Sequence, residues 1–211
     1  MVITHHGNQC YKLQFGDTTV AINPISKDSK LKAVRFGADI CLVSVNHPDF
    51  NGTDQVSFGD KQPFAITGPG EYETKGIFIK GFASHSSYGG KDRINTVYTF
   101  TLDGLNVCFM GALDTKDLSA DLKSAIDTPD ILFVPIGGEG TLHPQDAYKL
   151  AVQFEPKLIV PIGFEDNAIK DALKLFVKES GEGEPKAIDK LTIKKKDLEG
   201  KDSEVVVIST S

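Results

Sequence analysis

The sequence predicts an α+β fold with two β-sheets packed face to face and helices on the outer faces, a four-layer αββα sandwich. Three observations support this fold class. The first half of the chain consists of short apolar runs separated by Gly, Asn and Asp turns, and the second half mixes helical with strand-like patterns. No long alternation of strands and helices indicates a purely parallel sheet. Periodicity alone does not separate this sandwich from other α+β folds.

The first half is predicted to be almost entirely β-structure. Gly16-Asp17 separates two strand-like runs and predicts a hairpin, and Asp103-Gly104 joins another pair in the same way. The strands predicted in this half are Cys10–Phe15, Thr19–Ile22, Ile40–Ser44, Phe64–Thr67, Ile77–Phe82, Val97–Leu102 and Leu105–Met110.

The second half adds helices, because apolar residues recur there at helical spacing. Pro144 suits a first helical turn, and Thr141 or His143 is placed to cap that helix. The predicted helices are Leu118–Ile126, Pro144–Phe154 and Ala168–Lys178, and the predicted strands are Ile131–Pro135, Leu158–Pro161, Leu191–Ile193 and Val205–Ile208.

Length and composition are those of a globular protein with a sizeable core. The chain has 211 residues, of which 40% are hydrophobic and 25% charged, and we expect a single domain over residues 1–211. The formal charge of −6 argues against nucleic-acid binding, which needs clustered Lys and Arg. The run Lys194–Lys196 is directly followed by Asp197, and it is interpreted as a solvated strand end.

The sequence favours a cytoplasmic protein without membrane contact. The first six residues contain neither the basic start nor the apolar core of a signal peptide, and no apolar run approaches the ~18 residues of a membrane helix. The cysteines Cys10, Cys41 and Cys108 are odd in number and widely spaced, a pattern typical of reduced core thiols.

A candidate site follows the apolar run Ile40–Ser44. His47 and Asp49 lie two residues apart directly after this run, where both side chains can point to one side and suit a metal. The alternative interpretation is a polar turn shaped by Pro48. The tandem His5-His6 is expected at the surface, and His143 is expected to have a structural role at a helix start.

Three further segments carry a resemblance to a known family. They are Gly68-Pro69-Gly70-Glu71-Tyr72-Glu73, Pro135-Ile136-Gly137-Gly138 and the run from Pro156-Lys157 to Pro161. In this order they resemble the UlaG-like, predicted zinc-dependent hydrolases of the metallo-β-lactamase superfamily. The similarity covers nearly the whole chain, and it implies the metallo-β-lactamase fold and descent from zinc hydrolases.

The resemblance also implies where zinc ligands would lie, and most of those positions are replaced. The supporting Asp-Pro of the family reads Asn23-Pro24 here. The retained ligand positions are His47, Asp49 and His85, and the replaced ones are Val45, Phe50, Ala112 and Gly163. The first zinc would keep only His47 and His85, and the second only Asp49.

This ligand set predicts that the metal centre is largely lost. Zinc in proteins normally has three or four protein ligands, and without a metal nothing lowers the pKa of a water toward ~7. We therefore expect no cofactor, with weak mononuclear zinc binding by His47 and His85 as the alternative. Asp114 is a less favoured substitute for the lost bridging carboxylate at Ala112.

Three functional hypotheses remain. The favoured one is a non-catalytic role in binding or assembly. The second is a hydrolase with one weakly bound metal, or with a metal-free site around His47, Asp49 and His85. The third is a nucleic-acid processing protein, which the acidic balance disfavours. Substrate and partner are not predicted, and a homo-oligomer is compatible with the sequence.

Two structural expectations follow from the resemblance. The retained and replaced ligand positions should converge on one edge of the sandwich. A site that has lost its metal leaves a hollow that must be filled, and we expect Phe50 to turn inward and fill it.

Overall fold

The computed structural model describes residues 1–165, 168–181, 183 and 185–211. Within these ranges, two mixed β-sheets of six and seven strands form the body of the molecule, which agrees with the predicted α+β sandwich. The strands are β1 (Val2–His5), β2 (Tyr11–Phe15), β3 (Thr18–Ile22), β4 (Ile40–Leu42), β5 (Phe64–Ile66), β6 (Gly70–Thr74), β7 (Ile77–Ser86), β8 (Arg93–Leu102), β9 (Leu105–Phe109), β10 (Ile131–Pro135), β11 (Leu158–Ile162), β12 (Leu191–Thr192) and β13 (Glu204–Val205).

The first sheet has the spatial order β12-β1-β2-β3-β4-β5. The predicted hairpin is confirmed, since β2 and β3 are antiparallel with Phe15 opposite Thr18. Strands β3, β4 and β5 are parallel to one another. Their carboxyl ends therefore meet at one edge, and the polar residues that follow them lie there together.

The second sheet has the order β13-β11-β10-β9-β8-β7-β6. Strands β6 to β9 form an antiparallel meander, while β9, β10, β11 and β13 run parallel. Strands β7 and β8 extend beyond the predicted ranges toward the same edge as the ends of β3 and β4, because Ser84, Ser86 and Asn95 keep their backbone in the ladder. These ends of β7 and β8 are polar, so the apolar pattern that predicts strands does not extend over them.

Strands β1 and β6 were not predicted. Strand β6 has alternating glutamates that stay exposed, as suits an edge strand, and such a polar pattern has little apolar signal. Strand β13 covers only the start of the predicted Val205–Ile208, and Ile208 continues it as an isolated bridge to Ile188.

Three α-helices are present among the described residues: α1 (Ala120–Ala125), α2 (Pro144–Ala151) and α3 (Ala172–Ser180). Helix α1 is capped by Ser119, whose side chain accepts the Leu122 N–H. Helix α2 has His143 at its cap position without a side-chain bond, and a 3₁₀ turn extends it to Phe154. The predicted start of α3 at Ala168 is wrong, because Asp171 adopts a φ of 60° and the helix begins after it.

The helices pack on the outer face of the second sheet, and a separate core lies between the sheets. Leu122, Leu150 and Phe176 bury against Val134 and Ile159 of the sheet. Between the sheets, the rings of Tyr11 and Phe133 meet edge to face at 5.1 Å. Phe and Tyr supply the large aromatic packing of a chain that has no Trp.

Two sequence interpretations are corrected. His5 is fully buried rather than at the surface, and its ring stacks on Tyr11 with centroids 4.5 Å apart. Its ring nitrogens lie 3.1 and 3.0 Å from main-chain carbonyl oxygens, which explains how a polar ring is tolerated there. Lys195 begins a 3₁₀ turn and pairs with buried Asp130 at 2.6 Å, so this part of the lysine run is not a solvated strand end.

The described residues include no helix that is both long enough and apolar enough to span a bilayer.

Candidate functional site

The candidate site lies where β4 ends, in a tight turn that follows Ser44. Val45 forms an isolated bridge with Asn95 of β8, which joins the two sheets at this edge. The Phe50 N–H then donates to the His47 carbonyl at 2.9 Å, closing the turn. This geometry points Val45 and Phe50 inward, and they are 1% and 0% exposed.

A closed apolar cluster occupies the inside of this turn. It consists of Val45, Phe50, Tyr88 and Ala112, and we call it the aromatic plug. The rings of Phe50 and Tyr88 meet edge to face with centroids 4.7 Å apart. Three of the four replaced ligand positions thus contact one another, and the expected burial of Phe50 is confirmed.

Asp49 is a buried carboxylate held by hydroxyl groups. The Tyr88 hydroxyl donates to its Oδ2 at 2.8 Å, and the Ser29 hydroxyl donates to its Oδ1 at 2.5 Å. Only 6% of Asp49 is exposed, so these bonds replace much of its hydration. The carboxylate is therefore already occupied on both oxygens.

His47 lies beside the plug with its ring against Tyr88, at 5.1 Å between centroids. Its Nδ1 accepts the backbone N–H of Asp49 at 3.2 Å, so in the neutral ring the proton is on Nε2. Burial lowers the pKa of His47 below its ordinary value; the Asp49 carboxylate opposes this shift, and Arg93 adds to it. This shift favours the neutral form of the ring.

His85 belongs to a different arrangement near the end of β7. Its Nδ1 lies 2.9 Å from the carboxylate of Asp114, and its Nε2 lies 3.4 Å from Asp92. The hydrogen bond and the charge of Asp114 raise the pKa of His85. Asp114, considered above as a replacement bridging ligand, thus pairs with a half-exposed histidine.

Gly163 is connected to the site through Gln9 rather than through the plug. Its backbone has a φ of 67°, and a Cβ at this position would approach Gln9 Nε2 to 3.1 Å. Gln9 in turn accepts from Asn23 at 3.4 Å, and Asn23 donates to Ser44 Oγ at 2.9 Å. Position 163 therefore contacts a buried layer of amide and hydroxyl groups, and this layer connects it to Ser44 at the end of β4.

A second part of this polar layer is formed by Asn95 of β8 in the second sheet. Asn95 accepts the Ala112 N–H at 2.8 Å and donates to the Met110 carbonyl at 2.9 Å. Gly111 is required here, because a Cβ would lie 2.3 Å from Asn95 Oδ1. Asn23, Ser44 and Asn95 are all uncharged, so the layer contains no carboxylate that could offset the charge of a metal ion.

The side chains at this edge do not fit a metal centre. Over the residues that the structure describes, no three His, Cys, Asp or Glu side chains lie close enough together to hold one ion. Asp49 is engaged by two hydroxyls, the Nδ1 of His47 accepts a backbone proton, and His85 pairs with Asp114. A zinc ion needs three or four protein ligands, so no catalytic step through a metal follows from this arrangement.

A cleft of about 790 Å³ opens in front of His47 and Asp49. Its walls are residues 28–31, 47–49, 87–90 and 139–140, and they do not include His85. Gly140 permits the close packing of one wall, because a Cβ there would lie 2.7 Å from Tyr88 Cα. The cleft is large enough for a small molecule or for a side chain of a partner.

Sequence reasoning missed Tyr88, Ser29 and Asn95. Tyr88 precedes Gly89-Gly90, a pair that by itself predicts only a turn, and Ser29 lies in a segment without periodicity. Each becomes part of the site through a contact made across a long stretch of chain, 39 residues for Tyr88 with Asp49. Nothing in the local sequence indicates these partners.

Comparison with known proteins is consistent with this fold. Residues 2–163 match the family model described as Beta-lactamase superfamily domain. A protein of Listeria innocua named UPF0173 metal-dependent hydrolase is 29% identical over 78% of this chain and 85% of its own length. A protein of the same name from Anoxybacillus flavithermus is 27% identical over 78% of this chain and 86% of its own length.

Solved structures agree in fold. A metallo-beta-lactamase superfamily protein from Thermotoga maritima superimposes with a TM-score of 0.77 at 24% identity, covering 100% of this chain and 99% of its own. An isothiocyanate hydrolase from Delia radicum gut bacteria gives a TM-score of 0.64 at 14% identity, covering 98% and 96%. With the family model matched over most of its length, this chain belongs to the beta-lactamase superfamily and has the metallo-β-lactamase fold.

Proposed function

We propose that this protein is a non-catalytic member of its hydrolase family, which binds a ligand or partner at the cleft without a metal ion. One observation carries the proposal. Val45, Phe50 and Ala112, at three positions where the family resemblance implies ligands, pack against one another and against Tyr88. The side chains of Val45, Phe50 and Ala112 contain no atom that could coordinate a cation.

The hydrogen bonds around the cleft support the same proposal. Tyr88 and Ser29 satisfy the Asp49 carboxylate, so the residue is stable without a counter-cation. Asn23 and Asn95 carry no charge, so these two buried amides could not offset the charge of a divalent ion. A cleft is nevertheless present in front of His47 and Asp49. A cleft without a metal centre favours ligand binding over catalysis.

Metal content tests the proposal directly. We expect protein purified without chelator to contain well below one zinc per chain by elemental analysis, and added zinc to leave its melting temperature unchanged. The Listeria innocua relative, purified in parallel, is the matched control. A content close to two metals per chain would refute the proposal and would mean that residues outside the resemblance complete a centre.

A metal-free hydrolase is the second candidate, favoured by the position of His47 on the cleft wall. In the tautomer that the Asp49 N–H bond implies, the lone pair of His47 faces the Asp49 backbone, so the ring would have to exchange its proton between nitrogens to act as a base toward the cleft. Ester and phosphodiester substrates should therefore be turned over no faster by the native protein than by His47→Ala. A clear loss of turnover in His47→Ala would favour the enzyme.

A further inference from the structure

The segment 27–35, part of which lines the cleft, carries a concentration of positive charge that the proposed function does not use. Residues 27–35 contain four cationic side chains and one acidic residue, within a chain whose formal charge is −6. We call the four cations the basic rim: Lys27, Lys30, Lys32 and Arg35. All four are exposed, and none forms an ion pair with any residue in the described ranges.

The segment that bears the rim is held in place although it contains no helix or strand. Its start is anchored by the Ser26 N–H on the Pro48 carbonyl at 2.8 Å, and its end by the Phe36 N–H on the Gln55 carbonyl at 3.3 Å. Ser29, in the middle, binds Asp49. A segment ordered in this way loses little conformational entropy when it binds a partner.

Apolar surface adjoins the charge on two sides. Leu31 and Pro48 line the cleft next to Lys30. At the other end, Phe58 packs against Gly37, where a Cβ would lie 3.0 Å from the Phe58 Cβ, and still exposes 76% of its surface. Aromatic and arginine side chains are both enriched at protein interfaces.

We propose that the basic rim is a docking surface for an acidic segment of a partner protein, which lies across residues 27–36 beside the cleft. This inference rests on the proposed binding role and names its partner. Spaced carboxylates on such a segment would meet the four cations, and an apolar side chain would contact Phe58 or the cleft wall. Complementary charge of this kind directs association and selects the partner.

A peptide fits the rim better than a nucleic acid does. Asp28 lies between the first two cations, and Asp54 is exposed close to Gln55, which binds Arg35. A nucleic acid has a phosphate at every residue and would meet these carboxylates, whereas a peptide can present neutral residues there. The acidic remainder of the chain would also repel an extended polyanion.

Fluorescence anisotropy of the full chain, kept in chelator, tests the inference. The probes are a labelled Glu-rich peptide with one central Phe, its Gln-for-Glu counterpart, and an oligouridylate of equal charge. We expect only the Glu-rich peptide to bind, and its affinity to fall as salt rises past about 0.1 M, where the screening length is about 10 Å. Changing all four rim cations to Ser should weaken binding by at least about tenfold.

The matched control changes Lys123, Lys170, Lys174 and Lys178 to Ala, because this removes the same charge from the helical side of the molecule. Affinity should then stay within about twofold of the native protein. Equal losses in both variants, tighter rim-dependent binding of the oligouridylate, or no binding of any probe would each overturn the inference. Unchanged melting curves confirm folding of both variants. The zinc measurement decides the proposed function separately, since a metal-loaded protein refutes that role whatever the peptide does.

Discussion

The two histidines that remain at the site have opposite environments. His47 lies against the aromatic plug, with a lowered pKa and with its neighbour Asp49 held by two hydroxyls. His85 is half exposed, has a raised pKa and pairs with Asp114. Two residues that a shared ion would bring together instead belong to two separate hydrogen-bonded pairs.

This difference shows how a polar centre can be made stable without a metal ion. On the His47 side, apolar side chains fill the space and hydroxyl groups donate to Asp49. These donors are needed because a buried polar group without a partner costs about 1–3 kcal/mol. On the His85 side, solvent and a carboxylate suffice, because an exposed ring needs no buried partner. Four measurements test this contrast between the two sides of the site.

The largest effect is expected for Phe50→Ala, which removes the centre of the plug. Phe50 is fully buried, so truncation should lower the free energy of unfolding by about 3–5 kcal/mol in a denaturant titration. Ile94→Ala, at a residue paired with His85 and 67% exposed, is the control and should cost less than about 0.5 kcal/mol. Similar losses in both variants would mean that the two sides do not differ in packing.

Tyr88→Phe should have the next largest effect. It keeps the ring in the plug and removes only the hydroxyl that donates to Asp49 at 2.8 Å. A buried carboxylate deprived of one donor should cost about 1.5–3 kcal/mol by the same titration. Combining Tyr88→Phe with Asp49→Asn should cost less than the sum of the single changes, because both remove one interaction. Strict additivity would show that this bond contributes nothing.

Asp39 provides a charged counterpart to Asp49, because it is a buried carboxylate held by lysines rather than by hydroxyls. Burial by itself would raise its pKa, but hydrogen bonds from Lys61, Lys75 and the Thr19 N–H outweigh burial and lower the pKa to about 2. A carboxyl whose pKa is lower in the folded state stabilises the protein above its unfolded pKa of about 3.9 and loses that contribution as the pH falls through about 2.

Unfolding of the native protein and of Asp39→Asn should therefore be compared at several pH values. The native protein should be more stable by about 1–2 kcal/mol at pH 6, and the difference should vanish as the pH approaches 2. A difference that stays constant with pH would mean that the lysine contacts do not depend on the charge of Asp39.

His85→Ala should have the smallest effect on stability. The ring is half exposed, Asp92 is largely in solvent, and removal of the ring opens the space beside Asp114 to water, so the denaturation midpoint should not change measurably. His47→Ala is the matched change on the other side and should lower the midpoint, because the ring packs on Tyr88 and Phe50. Equal midpoints for the two variants would remove the contrast between the histidines.

Much of the fold was predictable because strand patterns and turn chemistry are local. The hairpin at Gly16-Asp17 and the strand Ile131–Pro135 were placed correctly, since both depend on neighbouring residues. The start of α3 was wrong, because the left-handed conformation of Asp171 has no signal in an apolar stripe. His5 was misjudged because its burial depends on carbonyls of the Asn8 turn and of distant Ile208.

The amino-acid sequence was sufficient to predict the α+β class, most of the buried runs that form the sheets, and His47, Asp49 and Phe50 at the candidate site. Tertiary structure alone decided how those residues are grouped. Tyr88 and Ser29 reach Asp49, and Asp114 reaches His85, through contacts between segments that are remote along the chain. The physical reason is that periodicity records which side of a strand or helix is buried, whereas hydrogen-bond partners depend on how turns from different strands meet at one edge.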